Sequence, residues 1–493
     1  MKLGSLLGLA TMLSFSAGAA SADSGCEHTI EYLIICEAQY WEQAYAHSCA
    51  IRSNPAHGSL NTSIYTLDDI ENMYGMADST RTRQAISDLW DWSECLKYVL
   101  LIGSRVPTYK FVPRKAVVKR WNRTVCYDDP YGDVDDDGEL EVAIGRVNCS
   151  SSVELTNWSN KVQEMLAADP DDPVQRKALV LAEDGMINDE DGAYVREWAD
   201  RIVGSSLPSY LTEKTAIFAT DVDPYLDPQN LQEYVLPIFN QGYGLVIGVG
   251  TYSSAFDFVD FFSTQYANLS EGMLTNAGKY PIVLGFCCET ARWDTSATFR
   301  SVMDLMNLAD SAGTTLWIGP TACTVQSQTR IFLDQILERV FWTEGYRTWG
   351  EVFKSAKNRL QCMLPIEHEI WWEYGLFGEP SLPIRCGCGM PAAIGDSATQ
   401  LVPPTLLVAG NPVRLGPARI VLTSPEQVSL KVGVYDVTGR MVAHLLDGSV
   451  RPGRTIIEWD GLGISGCRVS PGIYIVRIHG PGGGKSAKIA ILH

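Results

Sequence analysis

The sequence predicts an α/β protein with mostly parallel β-sheets, followed by a small all-β sandwich. Two apolar runs, residues 244–250 and 280–286, are rich in Val, Ile and Leu and end at turn residues. Strands that are covered on both faces have this pattern. Strand-like and helix-like segments alternate over most of the chain, which is typical of parallel sheets. Near the C-terminus the segments become short and purely strand-like.

Length and charge limit the classes of function. The 493 residues are too many for one compact core, so more than one domain is expected. The formal charge of −19 argues against a nucleic-acid partner, since binding to a polyanion needs a basic surface.

The N-terminus predicts export from the cytoplasm. Lys2 precedes an apolar run at residues 3–15, and Ala20-Ser-Ala22 has the small residues of a signal-peptide cleavage site. The run is shorter than the roughly 20 apolar residues of a membrane span, so no transmembrane helix is expected after cleavage. Residues 1–22 are therefore a predicted signal peptide.

The 13 cysteines fit an oxidising compartment, and their odd number leaves at least one outside any intrachain disulfide. The C-x-C at Cys386 and Cys388 has no second Cys/His pair at zinc-finger spacing, so a structural zinc site is not expected. Disulfides and buried thiols remain the alternatives for most of the cysteines.

The first predicted unit, residues 23–150, alternates strands and helices, with a turn at Asp68-Asp69. Its strands are expected at residues 29–36, 63–67, 98–102 and 141–147, and its helices at residues 37–52 and 80–92.

An acidic segment lies inside this unit. Asp133, Asp135 and Asp137 precede Gly138, as in the first half of an EF-hand calcium loop. The glutamate that closes such a loop is absent, because position 144 is Ile. A Ca²⁺ site and a solvated acidic turn are both open.

The second predicted unit, residues 151–386, continues the alternation. Ligands of open parallel sheets gather beyond the carboxyl ends of the strands. Gly248-Val-Gly250 and Cys287-Cys-Glu289 both stand there, so the two corners should face each other. Further strands are expected at 177–181, 215–219 and 315–319, and helices at 151–168, 190–203, 230–240, 298–312, 329–343 and 349–362.

Residues 387–404 read as a linker, because Gly, Pro, Ala and Ser dominate without a period. After it, residues 405–493 form the predicted sandwich, which should be immunoglobulin-like. Its clearest strands are expected at 428–435, 455–459, 472–478 and 487–492.

Several segments together resemble the gingipain-type cysteine peptidase family, whose fold is caspase-like. The likeness covers residues 29–385, and it implies two caspase-like αβα subdomains. It is carried by Tyr32-Leu-Ile-Ile35, Tyr98-Val-Leu-Leu-Ile-Gly103, Asp128 to Gly138 with Ala143-Ile-Gly-Arg146, Pro281-Ile-Val-Leu284 with Cys288-Glu-Thr290, and Phe377-Gly-Glu-Pro-Ser-Leu382.

The tail is similar to the sorting domains of type IX secretion substrates. The matching segments include Val434-Tyr-Asp-Val-Thr-Gly-Arg440, Trp459-Asp-Gly461 and Ser470-Pro-Gly-Ile-Tyr474. This resemblance implies a bacterial protein that passes through the periplasm, meets the type IX secretion machinery, and is then secreted or displayed on the cell surface. A generic adhesive β-domain is the alternative.

The family resemblance also implies roles in the site. Cys288 stands at the nucleophile position, and the backbone N–H groups of Cys288 and Gly250 are the implied oxyanion donors. Val249 occupies the position of the family histidine. Of the seven histidines, His368 is the one in the second unit beyond the central strands. A disulfide between Cys287 and Cys288 would consume the nucleophile.

These observations lead to two expectations of function. The first is a secreted or surface-displayed cysteine peptidase homologue, acting on polypeptides without a required cofactor, in which hydrolysis is weak or lost. The second is a non-enzymatic protein that binds a polypeptide in the former peptidase cleft.

Overall fold

The computed structural model describes a ten-stranded sheet with flanking helices, a two-stranded hairpin and two small sheets near the C-terminus. The fold class predicted from the sequence is confirmed. The described residues are 30–54, 59–93, 95–104, 114–118, 123–169, 172–184, 189–250, 269–292, 301–322, 324, 326–343, 346–363, 373–385, 405–409, 418–424, 428–436, 441–450, 453–463, 468–479 and 485–491.

The strands of both predicted halves belong to one large sheet, in the order β2-β1-β3-β6-β12-β11-β10-β9-β7-β8. Its core strands are buried apolar runs, as their composition predicts. The bounds are β1 Tyr32–Cys36, β2 Thr62–Thr66, β3 Tyr98–Ser104, β6 Ala143–Cys149, β7 Lys177–Glu183, β8 Glu213–Phe218, β9 Leu245–Gly250, β10 Ile282–Phe286, β11 Leu316–Pro320 and β12 Tyr374–Gly378. A separate hairpin joins β4 Arg114–Val118 to β5 Arg123–Tyr127.

The direction of strand β12 determines which of its residues lie at each edge of the sheet. The neighbouring strands β7, β9, β10 and β11 are parallel, whereas β12 runs antiparallel to β11. Tyr374 therefore pairs with Pro320 at the carboxyl end of β11, and Gly378 pairs with Leu316 at its beginning. On its other side β12 joins β6 through Phe377 and Arg146.

The helices are α1 Trp41–Ser53, α2 Leu67–Tyr74, α3 Ser79–Ser93, α4 Ser152–Ala167, α5 Asp189–Arg201, α6 Ala219–Val222, α7 Pro228–Phe239, α8 Val302–Leu308, α9 Gln326–Phe341 and α10 Trp349–Met363. Side-chain caps explain where several begin. Ser151 accepts a hydrogen bond from the backbone N–H of Glu154, and Ser301 accepts one from that of Asp304.

Three sequence expectations need correction. Asp68-Asp69 is not a turn but the first turn of α2, because Thr66 and Asp69 form a capping box. The helix expected at 298–312 spans Val302–Leu308, because the chain turns extended at Ala309. The strand expected at 215–219 ends at Phe218, and α6 begins at Ala219.

The described residues form two compact units. The second contains described residues within 335–346, 355–366 and 388–493, and the first contains the others. The predicted boundary at residue 150 stays a prediction, and the predicted linker lies outside the described residues.

The tail has antiparallel sheets in the orders β13-β14-β17 and β16-β15-β18-β19. Inward-facing apolar residues, among them Ile420, Val432, Val476 and Ile489, form its core. The bounds are β13 Thr405–Ala409, β14 Ala418–Ser424, β15 Val428–Tyr435, β16 Met441–Val450, β17 Gly453–Trp459, β18 Gly472–His479 and β19 Lys485–Ile491.

Candidate active site

Strands β9 and β10 bring the two predicted corners together. They are parallel neighbours, with Gly248 opposite Gly285 and Val249 opposite Phe286. Cys288 follows two residues after Phe286, so it leaves the sheet beside the end of β9. The adjacency predicted from the sequence is therefore present.

The sulfur of Cys288 contacts the segment that follows β11. The backbone N–H of Thr324 donates to Cys288 Sγ at 3.3 Å, and the hydroxyl oxygen of Thr324 is 3.7 Å from the same sulfur. Cys288 is only 4% exposed. The sulfur is thus held by the main chain of Thr324, whose N–H donates to it and whose carbonyl oxygen accepts from the thiol at 3.8 Å.

The turn after β10 has a constrained backbone. Glu289 has φ 59°, in the left-handed region that non-glycine residues rarely adopt. The backbone N–H groups of Glu289 and Ala291 donate to the carbonyl oxygens of Ala322 and Pro320, each at 3.0 Å. These two bonds attach the Cys288 turn to the neighbouring β11 turn and hold the strained conformation.

Tyr374, the first residue of β12, lies beside the same sulfur. Burial raises the pKa of Tyr374 well above its ordinary value of 10.0, and Cys288 adds to the rise. Its hydroxyl donates to Thr329 Oγ1 at 2.9 Å. The phenol is therefore neutral at physiological pH and bound to other hydroxyls.

Val249 lies at the corner where a base is expected, and it is fully buried. Among the described residues, His47 bonds Glu379, which follows β12 at the other edge of the sheet, while His444 and His479 belong to β16 and β18. His368 lies outside the described residues.

The family model described as peptidase family C25 matches residues 26–385. The chain belongs to peptidase family C25. No curated protein sequence is close enough to count as a match.

Solved structures agree with this assignment at the level of the fold. The complex of RgpB pro- and mature domains from Porphyromonas gingivalis is 16% identical and has a TM-score of 0.55, with 94% of this chain and 100% of that chain covered. The Arg-specific cysteine proteinase gingipain R (RGPB) is 16% identical and has a TM-score of 0.56, with 94% and 98% covered. At these identities the likeness shows a gingipain-like fold and nothing finer.

The adjacent cysteines of this C25 chain are not joined in a disulfide. Cys287 packs in an apolar cluster with Val246, Val283 and Trp317. Cys288 instead contacts Thr324, so the two sulfurs belong to different surroundings. A vicinal disulfide would require the turn to rearrange, and in this structure Cys288 is a free thiol.

Glu183 is a site residue that the sequence reasoning missed. It ends β7, pairs with Gly250 and is 5% exposed. A Cβ atom on Gly250 would lie 2.8 Å from Glu183 Oε2 and 3.2 Å from Cys287 Sγ, so a side chain at this position would have to displace the Glu183 carboxylate. An acid directly after the apolar run of β7 was the available signal.

The proposed oxyanion roles of the N–H groups of Gly250 and Cys288 stay predictions. Gly250 is the last residue of β9, at the same edge as Cys288. This position is compatible with the expected role, since preorganised backbone donors at a strand end can face the same reacting atom.

The acidic loop of this family member differs from its predicted ligand set. One carboxylate oxygen each from Asp133, Asp135 and Glu141 lies within 4.8 Å of the other two. Asp137 is not in this group, and its carboxylate accepts from the N–H of Glu139 at 2.8 Å. Counted from Asp133 as the first position, Glu141 stands at the ninth position of the EF-hand pattern, where a ligand also occurs. Calcium binding stays a prediction, since Ca²⁺ needs six to eight oxygen ligands.

Proposed function

We propose that the chain is an exported C25 peptidase homologue that has Cys288 as its nucleophile and hydrolyses peptides weakly or not at all. The observation that carries the proposal is the buried Val249 at the strand end beside the Cys288 turn. The side chain of Val249 has neither a proton acceptor nor a proton donor.

The size of this loss follows from the chemistry. Peptide hydrolysis by a thiol needs a base that forms the thiolate and an acid that protonates the leaving amine. General acid–base assistance contributes about 10² to 10⁴ in rate, and groups that act as one unit lose more than their separate shares. A thiol that lacks this partner keeps a few per cent of thiolate near neutrality, so some reactivity survives.

A non-enzymatic role in polypeptide binding is the second candidate. The small exposed fraction of Cys288, 4%, favours it, because a nucleophile must be reached by a carbonyl carbon. In that case the former peptidase cleft holds a chain without cutting it.

The proposed location is outside the cytoplasm, either released or on the cell surface. The predicted signal peptide and the likeness of residues 405–493 to type IX sorting domains support it. Within the described part of the chain, no helix is long and apolar enough to span a membrane. The proposed partners are a polypeptide and the type IX secretion machinery.

The test compares the wild type, Cys288→Ala and Val249→His in a peptide-cleavage assay together with labelling by a thiol-directed probe. We expect Cys288 to be labelled, cleavage by the wild type to be at or near background, and a gain of about 10²-fold or more in Val249→His. Rapid cleavage by the wild type that disappears in Cys288→Ala would refute both candidates.

Val249→His needs a folding control, because it places a larger polar group at a fully buried position. Overpacking of this kind costs about 1–3 kcal/mol. Its Tm should therefore be measured, and Val249→Leu serves as a matched variant of increased size without an imidazole. A gain in cleavage by Val249→Leu would show that the imidazole is not the cause.

A further inference from the structure

A serine, a histidine and a glutamate form a hydrogen-bonded row that does not include Cys288. His47 lies on α1, Ser159 lies on α4, and Glu379 follows β12 directly. His47 Nδ1 is 2.8 Å from Ser159 Oγ, and His47 Nε2 is 2.8 Å from Glu379 Oε2. The nucleophile, the base and the acidic residue of serine hydrolases are linked in this same order.

The contacts of Glu379 determine which ring nitrogen of His47 carries the hydrogen. Its carboxylate is fully buried and accepts from the hydroxyl of Tyr32 and from the N–H and hydroxyl of Ser381. A carboxylate that receives several donors is an acceptor towards His47 as well, so Nε2 bears the hydrogen. In the neutral ring Nδ1 then has the lone pair, and the hydroxyl of Ser159 donates to it.

The row leads from the interior of the protein to its surface. The side chains of His47 and Glu379 have no exposed surface, whereas Ser159 is partly exposed. The imidazole packs against the indole of Trp158, with ring centroids 4.9 Å apart, which restricts its orientation. A hydroxyl that solvent can reach therefore contacts a buried base, and this is the arrangement of an activated serine.

An amide donor lies one helical turn from this hydroxyl. Gln163 is four residues after Ser159 on α4, so the two side chains are neighbours on one helix face. Long helical side chains lean towards the N-terminus, which directs the Gln163 amide to the turn of Ser159. Among the residues that the structure describes, the buried Gln163 Nε2 has no hydrogen-bond partner. An amide donor of this kind can stabilise the oxyanion that forms when a carbonyl carbon is attacked.

We propose that Ser159, His47 and Gln163 form a second reactive site, which hydrolyses carboxylic esters through an acyl group on Ser159. Ser159 is the nucleophile, His47 is the general base, and Gln163 is the oxyanion donor. Esters are the expected substrates, because an ester loses its alcohol more readily than an amide loses its amine and therefore needs less oxyanion stabilisation. The site does not use Cys288, so the proposal stands independently of the proposed function.

The two chemical steps balance as follows. Ser159 Oγ attacks the carbonyl carbon of the ester, and its proton passes to His47 Nδ1. An oxygen–carbon bond forms, the bond from that carbon to the leaving oxygen breaks, and the imidazolium gives its proton to the departing alcohol. Water then attacks the acyl group and gives a proton to His47 Nδ1, which returns it to Ser159 Oγ as the carboxylic acid leaves.

The experiment treats the full chain with a fluorophosphonate probe, which bonds its phosphorus to an activated serine oxygen and releases fluoride. Mass spectrometry of the digested protein locates the label. We expect it on Ser159, at a rate about 10²-fold or more above that of other serines, because they lack general-base assistance. Cys288→Ala should be labelled as fast as the wild type.

Variants of α4 and α1 provide matched controls, with p-nitrophenyl acetate as the ester substrate in the Cys288→Ala background. Thr156→Val removes a hydroxyl of α4 that donates to the carbonyl oxygen of Ser152 at 2.8 Å, so it should change nothing. Ser159→Ala should lower ester hydrolysis to the background. Labelling should slow by about 10²-fold in Gln163→Leu and by at least about 10²-fold in His47→Gln.

The buried position of His47 makes a Tm measurement necessary for His47→Gln, whereas Gln163 and Ser159 are partly exposed and their variants should fold. If His47→Gln does not fold, the location of the label and the rate in Gln163→Leu decide. A label spread over several serines would overturn the proposal. Unchanged labelling of Ser159 in Gln163→Leu, or in a folded His47→Gln, would overturn it as well, and the cleavage assay of Cys288 would be unaffected.

Discussion

The two edges of the large sheet differ in the kind of residue that each places at one buried position. At the active-site edge, defined by Val249, Gly250 and Cys288, the expected base position holds a buried apolar side chain. At the opposite edge, Glu379 lies after β12 with its carboxylate fully buried and bonded to several donors. Tyr32, His47 and Ser381 supply these donors.

The contacts of Glu379 are short and numerous. The hydroxyl of Tyr32 donates to its two oxygens at 3.0 and 2.8 Å, and His47 Nε2 lies 2.8 Å from Oε2. Both the N–H and the hydroxyl of Ser381 donate to Oε1. The other ring nitrogen of His47 contacts Ser159 at 2.8 Å.

The comparison shows that a buried network of hydrogen-bonded side chains can be present in this fold without a role in the chemistry of Cys288. The Glu379 cluster joins β1, α1, α4 and the segment after β12, so its loss would affect elements that are far apart in the sequence. The active-site edge joins its turns mainly through backbone hydrogen bonds. The buried apolar side chain of Val249 is therefore compatible with a stable scaffold at this edge.

We expect Glu379→Ala to have the largest effect on the free energy of unfolding. Removing one member of a buried ionic and hydrogen-bonded group costs about 3–5 kcal/mol, since the remaining donors stay buried without their acceptor. The free energy of unfolding in urea measures the loss. Ser381→Ala, which removes only one of the hydroxyl donors, should cost about 1 kcal/mol. Equal stability of Glu379→Ala and the wild type would contradict a structural role of this edge.

The second prediction concerns Lys161, which is buried near the beginning of β10 and β11. Its Nζ donates to the carbonyl oxygens of Met306 at 3.1 Å and Ala312 at 2.8 Å, and burial lowers its pKa from 10.5 to about 7. The unfolded chain therefore binds the proton more tightly between these two pH values, so stability should rise with pH across this window.

Urea unfolding at several pH values between about 7 and 9 checks this expectation. Lys161→Met should remove the rise. Lys97→Met is the matched control, because the side chain of Lys97 is 53% exposed and pairs with Glu31 at the surface. An unchanged slope in Lys161→Met would show that the lysine is not the titrating group.

The sequence predicts the fold correctly in the segments whose apolar composition alone determines the structure. The apolar runs that became β3, β9 and β10 are buried on both faces, and no polar contact is needed to recognise them. Asp68-Asp69 is misread, because acidic pairs occur both in turns and in first helical turns. Only the reciprocal hydrogen bonds of Thr66 and Asp69 decide between the two.

The sequence predicts those parts of the site that lie directly at the ends of buried strands. The facing of Val249 and Cys288 required only that two consecutive parallel strands be neighbours. Thr324 was not predictable, because its N–H reaches Cys288 Sγ through the pairing of two turns. Glu141 was missed because the expected ligand set ended at Asp137, although Glu141 stands at the ninth position of the EF-hand pattern, where a ligand also occurs.

The third prediction concerns the acidic loop, which contains a group of carboxylates just before β6. Burial raises the pKa of Glu141 from 4.5 to about 7, against an opposing hydrogen bond from the N–H of Val134. The folded state therefore binds this proton more tightly, and the stability it contributes is present below pH 4.5 and is lost as pH rises through about 7.

Glu141→Gln should remove this fall in stability, whereas Glu139→Gln, which changes an exposed carboxylate of the same loop, should keep it. Thermal unfolding between about pH 5 and 8 measures the effect. The same series tests calcium, which should raise the Tm of the wild type above pH 7 and have less effect on Glu141→Gln. A calcium response that is equal in both variants would place the ion elsewhere.

The smallest effect should come from Cys288→Ala, measured by the same urea unfolding as Glu379→Ala. The sulfur accepts one backbone hydrogen bond at 3.3 Å, and the two bonds that fix the turn come from the main chain of Glu289 and Ala291. Because the substitution leaves those bonds intact, it should cost no more than about 1 kcal/mol. A loss as large as that of Glu379→Ala would mean that the thiol holds the turn in place. The residues at the active-site edge would then stabilise the fold as much as those at the opposite edge. The presence of Cys288 would in that case be no evidence for catalysis.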